Sequence, residues 1–123
     1  MASIRYLVSD LDRAVAFYTG PLGFKQVERW GSAFAAVVRD DLTLWLSGPG
    51  TSAWQPMPDG RAPEPGGWNR IALPVDDLAA EVARLRAAGV TFRNDVVAGP
   101  GGRQILADDG CGNVVELFEH AKR

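Results

Sequence analysis

Arg70 and Glu116 are the ionisable residues of this chain best placed to do chemistry, because each borders or interrupts an apolar, strand-like run: Ile71-Ala72-Leu73 and Val114-Val115-Glu116-Leu117-Phe118. A guanidinium is a forked donor for a carboxylate, phenolate or carbonyl, and a carboxylate among apolar neighbours can serve as a general base. Residues two apart in a strand share a face. Arg70 therefore goes with Ala72, and Glu116 with Val114 and Phe118. Ser3, Arg5 and Leu7 share one face, with Ile4, Tyr6 and Val8 on the other, under a helix. Leu42, Leu44 and Leu46 share a face from which Trp45 points away. Phe34 and Gln104 hold comparable third-strand positions whose facing alternation alone leaves open. Four tryptophans, Trp30, Trp45, Trp54 and Trp68, supply flat rings suited to stacking on a planar ligand. Trp30 and Trp68, near strand ends, suit either the rim of a site or the core, and Trp45 suits the core or a dimer surface. Asn94 and Asp95 read as polar groups at the rim of a site or, better, as ordinary solvated residues.

Other chemistries find little support. Cys111 is the single cysteine, which excludes an internal disulfide, fits a reducing cytosol and reads as an ordinary turn thiol. The one histidine, His120, lies near the end of the chain. A net charge of −2 and a pI near 5.3, with Lys and Arg scattered, argue against a nucleic-acid partner. No long apolar run and no charged-then-apolar leader occur, so neither a membrane span nor a signal peptide is expected, and the expected location is the cytoplasm.

The elements that must position these residues come as a repeat. Ile4-Arg5-Tyr6-Leu7-Val8-Ser9-Asp10-Leu11 returns, 67 residues on, as Ile71-Ala72-Leu73-Pro74-Val75-Asp76-Asp77-Leu78. Each copy opens with a short apolar strand and reaches strong helix N-cap types at Ser9-Asp10 or Asp76-Asp77. Leu11, Val15 and Tyr18, and likewise Leu78, Val82 and Leu85, recur at helical spacing and give each helix one apolar stripe. Gly20-Pro21 with Gly23, and Gly89, stop the helices. Three strands should follow each: 25–30, 33–39 and 42–47 in the first copy, and 91–97, 103–107 and 114–119 in the second. Their turns are Gly31-Ser32 and Asp40-Asp41, then Gly99-Pro100-Gly101-Gly102 and Asp109-Gly110-Cys111-Gly112. The chain reads as a single α+β domain, with a βαβββ module over 3–47, a linker over 48–67 and a second module over 68–119. Five prolines and five glycines break the linker. Its Trp54 reads either as a lid residue over a ligand or as a plug for a sheet edge.

Val8-Ser9-Asp10-Leu11-Asp12-Arg13-Ala14-Val15-Ala16-Phe17-Tyr18, Leu22-Gly23-Phe24 and Gly112-Asn113-Val114-Val115-Glu116-Leu117-Phe118 carry a resemblance to the vicinal-oxygen-chelate superfamily, which includes glyoxalase I, extradiol dioxygenases and bleomycin-resistance proteins. The resemblance spans nearly the whole chain. It implies the glyoxalase/bleomycin-resistance fold, two βαβββ modules whose mixed sheets curl around a cleft, commonly in a homodimer. In metal-dependent members, ligands sit on the first and last strand of each module, positions carried over here as Ser3, Leu44, Arg70 and Glu116. Only Glu116 among these is a good donor, whereas a catalytic zinc needs about three protein ligands.

The resemblance thus implies the metal-free, bleomycin-resistance-like branch: no cofactor, and a planar antibiotic or metabolite as ligand. The ligand-binding residues expected are Ser3, Arg5, Phe34, Leu44, Trp54, Trp68, Arg70, Gln104 and Glu116. Arg70 would stand in for the lost metal's charge, with Glu116 orienting the ligand, or the two would form a merely structural ion pair. Arg5 and Arg70 oppose a strongly cationic drug such as bleomycin. The competing readings are a metal-independent enzyme with Glu116 as its catalytic base, for which Arg70 competes, and a metal-dependent lyase or dioxygenase.

Overall fold

The computed structural model describes residues 2–122, which form two compact units. The first runs to Gly66 and takes in Gly110–Asn113; the second comprises Gly67–Asp109 and the residues from Val114 onward.

In the first unit the order is β1 (Ile4–Leu7), α1 (Leu11–Thr19), β2 (Lys25–Trp30), β3 (Phe34–Arg39) and β4 (Leu42–Ser47), and the strands lie in the order β1-β4-β3-β2. Only β1 and β4 run parallel, as expected for a strand joined to its neighbour through a helix and a meander. Asp10 caps α1, its carboxylate accepting from the backbone N–H of Arg13 at 3.2 Å. The helix buries Leu11, Ala14 and Tyr18, so Ala14 takes the place in the stripe that the sequence assigns to Val15. The Tyr18 ring meets Tyr6, Phe17 and Phe24 edge-on.

β4 corrects the expected facing. Leu44 pairs with Ile4, and Leu46 with Tyr6, so these leucines lie on the Tyr6 side and are fully buried. Trp45, the partner of Arg5, lies on the other side and is 36% exposed. Leu44 is thus a core residue, not one of the ligand-binding set. Ile4, expected beneath a helix, is 42% exposed near the start of its strand.

The second unit repeats the plan with β5 (Ile71–Pro74), α2 (Leu78–Ala87), β6 (Thr91–Phe92), β7 (Val97–Gly99), β8 (Gly102–Asp108) and β9 (Val114–His120). Its strand order is β5-β9-β8-β6, with β7 also paired to β8, and β5 alone is parallel to its neighbour. Ile71, Leu73, Ile105, Ala107, Val115 and Leu117 are buried on one side of the sheet, and α2 buries Leu78, Val82 and Leu85. Gly89, at φ 87°, ends that helix in the left-handed region.

The strand expected over 91–97 is broken into β6 and β7. Between them the Asn94 side chain, rather than a ladder carbonyl, accepts the N–H of Leu106 at 2.9 Å. That bond gives the residue read as merely solvated a structural role.

Glu119, on β9, accepts the backbone N–H of Leu78 at 2.9 Å and two N–H bonds from Arg103. It satisfies a donor that the first turn of α2 leaves open. The Leu78 bond, followed by that from Arg103, holds its carboxyl below the usual 4.5. A folded-state pKa below the unfolded one contributes stability that is complete above about 4.5 and is lost as pH falls through the folded value. Glu119→Gln should therefore lower the melting temperature at neutral pH, with the gap to the parent closing below pH 4.5. A gap that stays constant from pH 7 to pH 3 in thermal scans would sink this assignment.

Gly110–Asn113 does more than turn the chain between β8 and β9. Ser9 donates its N–H to the Cys111 carbonyl, the Cys111 thiol is fully buried, and the Asn113 amide donates to the Leu7 carbonyl at 2.7 Å while accepting from Gly66 at 3.0 Å. Gly112, at φ 102°, packs so closely on Pro65 that a Cβ there would come within 2.6 Å of its ring. Among the described residues, no helix is long and apolar enough to cross a membrane.

Candidate functional site

Each sheet has one side covered by its helix; the other, more open side carries mostly exposed or half-buried residues, although Ala36, Ser47 and Val114 on it are buried. In the second unit, β-pairing sets Ala72, Glu116 and Leu106 in one row of the open side, and Pro74, Phe118, Gln104 and Val97 in the next. Arg70, two residues before Ala72, reaches Glu116 from the foot of β5. Its Nε and Nη2 both donate to Glu116 Oε1, at 3.1 and 2.8 Å, and its Nη1 donates to the Trp68 carbonyl at 3.1 Å. The pair is largely shielded from water, with side-chain exposures of 25% for Arg70 and 12% for Glu116. Arg70 is therefore electrostatically compensated. What remains for a ligand is Glu116 Oε2 as an acceptor and the unspent N–H groups of Arg70 as donors. Apolar Ala72, Leu106 and Phe118 surround them, the balance of greasy wall and few polar groups usual in small-molecule sites. His120 lies edge-on to Phe118, ring centroids 4.9 Å apart.

In the first unit the corresponding rows are Arg5, Trp45, Ala36 and Glu28, then Leu7, Ser47, Phe34 and Trp30. Arg5 lies over the Trp45 ring, 4.9 Å from its centroid, and donates from Nη1 to Ser47 Oγ at 2.8 Å. Phe34 meets Trp45 edge-on at 6.2 Å.

Across the 67-residue offset, Arg5 pairs with Trp45 as Ala72 pairs with Glu116. The counterpart of Glu116 is thus Trp45, not Leu44, and the four positions at which the resemblance places metal ligands are Ser3, Trp45, Arg70 and Glu116. An indole and a guanidinium are not metal donors, and the one carboxylate is already bonded to the guanidinium, so this donor set does not fit a divalent metal. Nor, among the described residues, do three or more His, Cys, Asp or Glu side chains gather where they could hold one.

The other residues singled out in the sequence fall as follows. Phe34 and Gln104 both lie on open sides, half-buried. Trp54, in a short 3-10 turn over Ser52–Trp54, donates its indole N–H to the Ser47 carbonyl at 2.9 Å, so it is folded onto the end of β4. Trp68 and Trp30 are 80% and 67% exposed, which removes the core reading for both. Trp30 donates its indole N–H to Glu28. Leu106 and Ser47 were missed. Leu106 lies two residues from Gln104 and directly opposite Glu116, and Ser47 lies directly opposite Phe34, but only the register reveals these places.

The sequence profile of the Glyoxalase/Bleomycin resistance protein/Dioxygenase superfamily matches residues 1–117, and the chain belongs to this superfamily. No curated protein matches the sequence. Among solved structures, a superfamily member from Sphaerobacter thermophilus is 29% identical, with a TM-score of 0.71 and 98% of each chain covered. TnmS3, an antibiotic-binding protein from a Streptomyces species, is 25% identical, with a TM-score of 0.70, 98% of this chain and 97% of that one. A lactoylglutathione lyase from Agrobacterium tumefaciens shares the fold at 22% identity, with a TM-score of 0.73, 97% of this chain and 92% of that one.

Proposed function

We propose that this chain is a metal-free small-molecule-binding protein whose ligand is a planar antibiotic or metabolite, held for sequestration or resistance. The observation that carries the reading is Arg70 donating two hydrogen bonds to the single carboxylate of the inferred ligand set. A cation fixed there opposes a divalent metal by charge and by occupying its one good donor. Superfamily membership and the likeness to an antibiotic-binding protein support the same reading.

The Arg70–Glu116 pair suits ligand groups that both donate and accept, such as a phenol or an enolised carbonyl: Oε2 accepts the O–H and a spare guanidinium N–H donates to the same oxygen. Glu116 then orients the ligand. As a general base it would be impaired, because its Oε1 already accepts two hydrogen bonds from Arg70. A homodimer and a cytoplasmic location complete the proposal, and sedimentation equilibrium at micromolar protein should show the dimer; a species of 13.2 kDa alone would count against it.

Native mass spectrometry of the gently purified protein should show an added organic mass and no stoichiometric metal. Zinc, iron, nickel or manganese that persists at one per chain through dialysis against a weak chelator would overturn the metal-free reading. A chain that carries no small molecule from its native host, and takes up none from a library of planar compounds, would overturn the binding reading.

A further inference from the structure

Every strand-borne arginine on an open sheet side would attract an anion if its charge were unspent, and the two units differ in this respect. Arg70 is spent on Glu116. Arg5 is not: its guanidinium bonds to a neutral hydroxyl, Ser47 Oγ, and rests on Trp45, and among the described residues it has no acidic partner. Ser47 is itself fully buried, so the hydroxyl that holds Arg5 is fixed by the fold. The acid on the same side, Glu28, lies three strands away in the row Arg5-Trp45-Ala36-Glu28 and takes the Trp30 indole N–H instead. A guanidinium seated on an indole, with most of its N–H fork unspent, is a preorganised oxyanion receptor. Beside it, Trp45 and Phe34 supply ring surface, and Ala36 keeps the neighbouring position on β3 low.

We propose that the open side of the first sheet binds a planar aromatic ligand through an attached carboxylate, the carboxylate on Arg5 and the ring against Trp45 and Phe34. The proposal rests on the small-molecule-binding reading and names the charge class it selects. Arg5, rather than Arg70, sets the preference for anions: it stands directly beside Trp45, whereas the carboxylate on this side, Glu28, stands three strands from Arg5 beside Trp30.

The test uses three probes of one shape, 2-naphthoate, 2-naphthamide and 2-naphthylmethylammonium, titrated into the full chain by calorimetry, with indole N–H signals followed by NMR after assignment through single Trp→Phe variants. Naphthoate is expected to bind roughly 10-fold or more tighter than the amide, as a charge-assisted bond implies, to shift the Trp45 signal, and to outbind the ammonium by a wider margin. Arg5→Met, which removes the donor to the buried Ser47 hydroxyl and so is expected to lower the melting temperature by a few degrees while the chain stays folded by far-UV circular dichroism, is expected to erase the preference for naphthoate over the amide.

Equal binding of the three probes, binding of none, or a naphthoate preference that survives Arg5→Met and disappears in Arg70→Met overturns the proposal. None of these touches the broader reading, which stands or falls on the native ligand recovered by mass spectrometry. A Trp45 indole inaccessible to acrylamide, in a dimer that Trp45→Glu dissociates, would show a second copy of the chain on this side and would equally overturn it.

Discussion

Leu44→Glu is expected to leave the chain unfolded in buffer at room temperature, whereas Trp45→Glu, one residue further along the same strand, is expected to fold. Leu44 is fully buried on the side of β4 that carries Leu46 and faces Tyr6 and α1. Replacing it removes a packed leucine, at about 2–5 kcal/mol, and forces a carboxyl into a site that offers it no donor, at several kcal/mol more. Together these approach the about 5–15 kcal/mol that a whole domain has in reserve. Trp45 is partly exposed beside Arg5, so a glutamate there loses the ring contacts with Phe34 and Arg5 but gains a solvated ion pair worth about 0–1 kcal/mol. Far-UV circular dichroism and urea titration separate the two outcomes. A Leu44→Glu variant with the parental urea midpoint would mean that β4 presents its other face to the core.

That facing is where the sequence stopped being readable. The repeat, both caps and the stripe of α2 were legible because each is a local pattern: Asp10 and Asp77 stand where helices start and accept the N–H three residues on, as N-caps do, while the stripe of α1 was legible except that Ala14 is buried in place of Val15. The open side of the second sheet was legible too, because β9 alternates one carboxylate against the buried Val115 and Leu117. In β4 leucines alternate with Thr43, Trp45 and Ser47, none of them charged, and the large ring of Trp45 offsets the two hydroxyls, so polarity is a weak guide to which set goes under the helix. Only the pairing of Tyr6 with Leu46 decides it, and a one-residue slip exchanges the two sets. Cys111 was opaque for a related reason. Its turn composition is local, but its burial depends on Ser9, about a hundred residues earlier in the chain, whose N–H its carbonyl accepts. Proline and glycine marked Trp54 as belonging to a loop; its bond to the Ser47 carbonyl, which makes it a structural anchor, leaves no mark in composition.

Arg70→Met is the second change with a large expected effect, and its value lies in comparison with the double variant Arg70→Met, Glu116→Gln. The single variant strands the Glu116 carboxylate, 12% exposed, between Leu106 and Ala72 without its cation. Full burial of such an orphan costs about 3–5 kcal/mol, and an exposed one about 0–1 kcal/mol. The intermediate shielding here points to about 2 kcal/mol, a fall in melting temperature of roughly 8 °C for a domain of this size. Replacing Glu116 with Gln removes the charge and keeps the shape, so the double variant should recover most of the loss, and the difference measures the coupling. Stability alone does not distinguish a binding pair from a structural one. The ligand that copurifies with the parent does: if Oε2 and the spare N–H groups hold it, the double variant recovers stability and still binds at least about 10-fold more weakly, the worth of one lost charge-assisted bond. Recovered stability with unchanged affinity would make the pair a structural filler of a position that the family resemblance assigns to a metal ligand, and would move the ligand away from the second unit's open side.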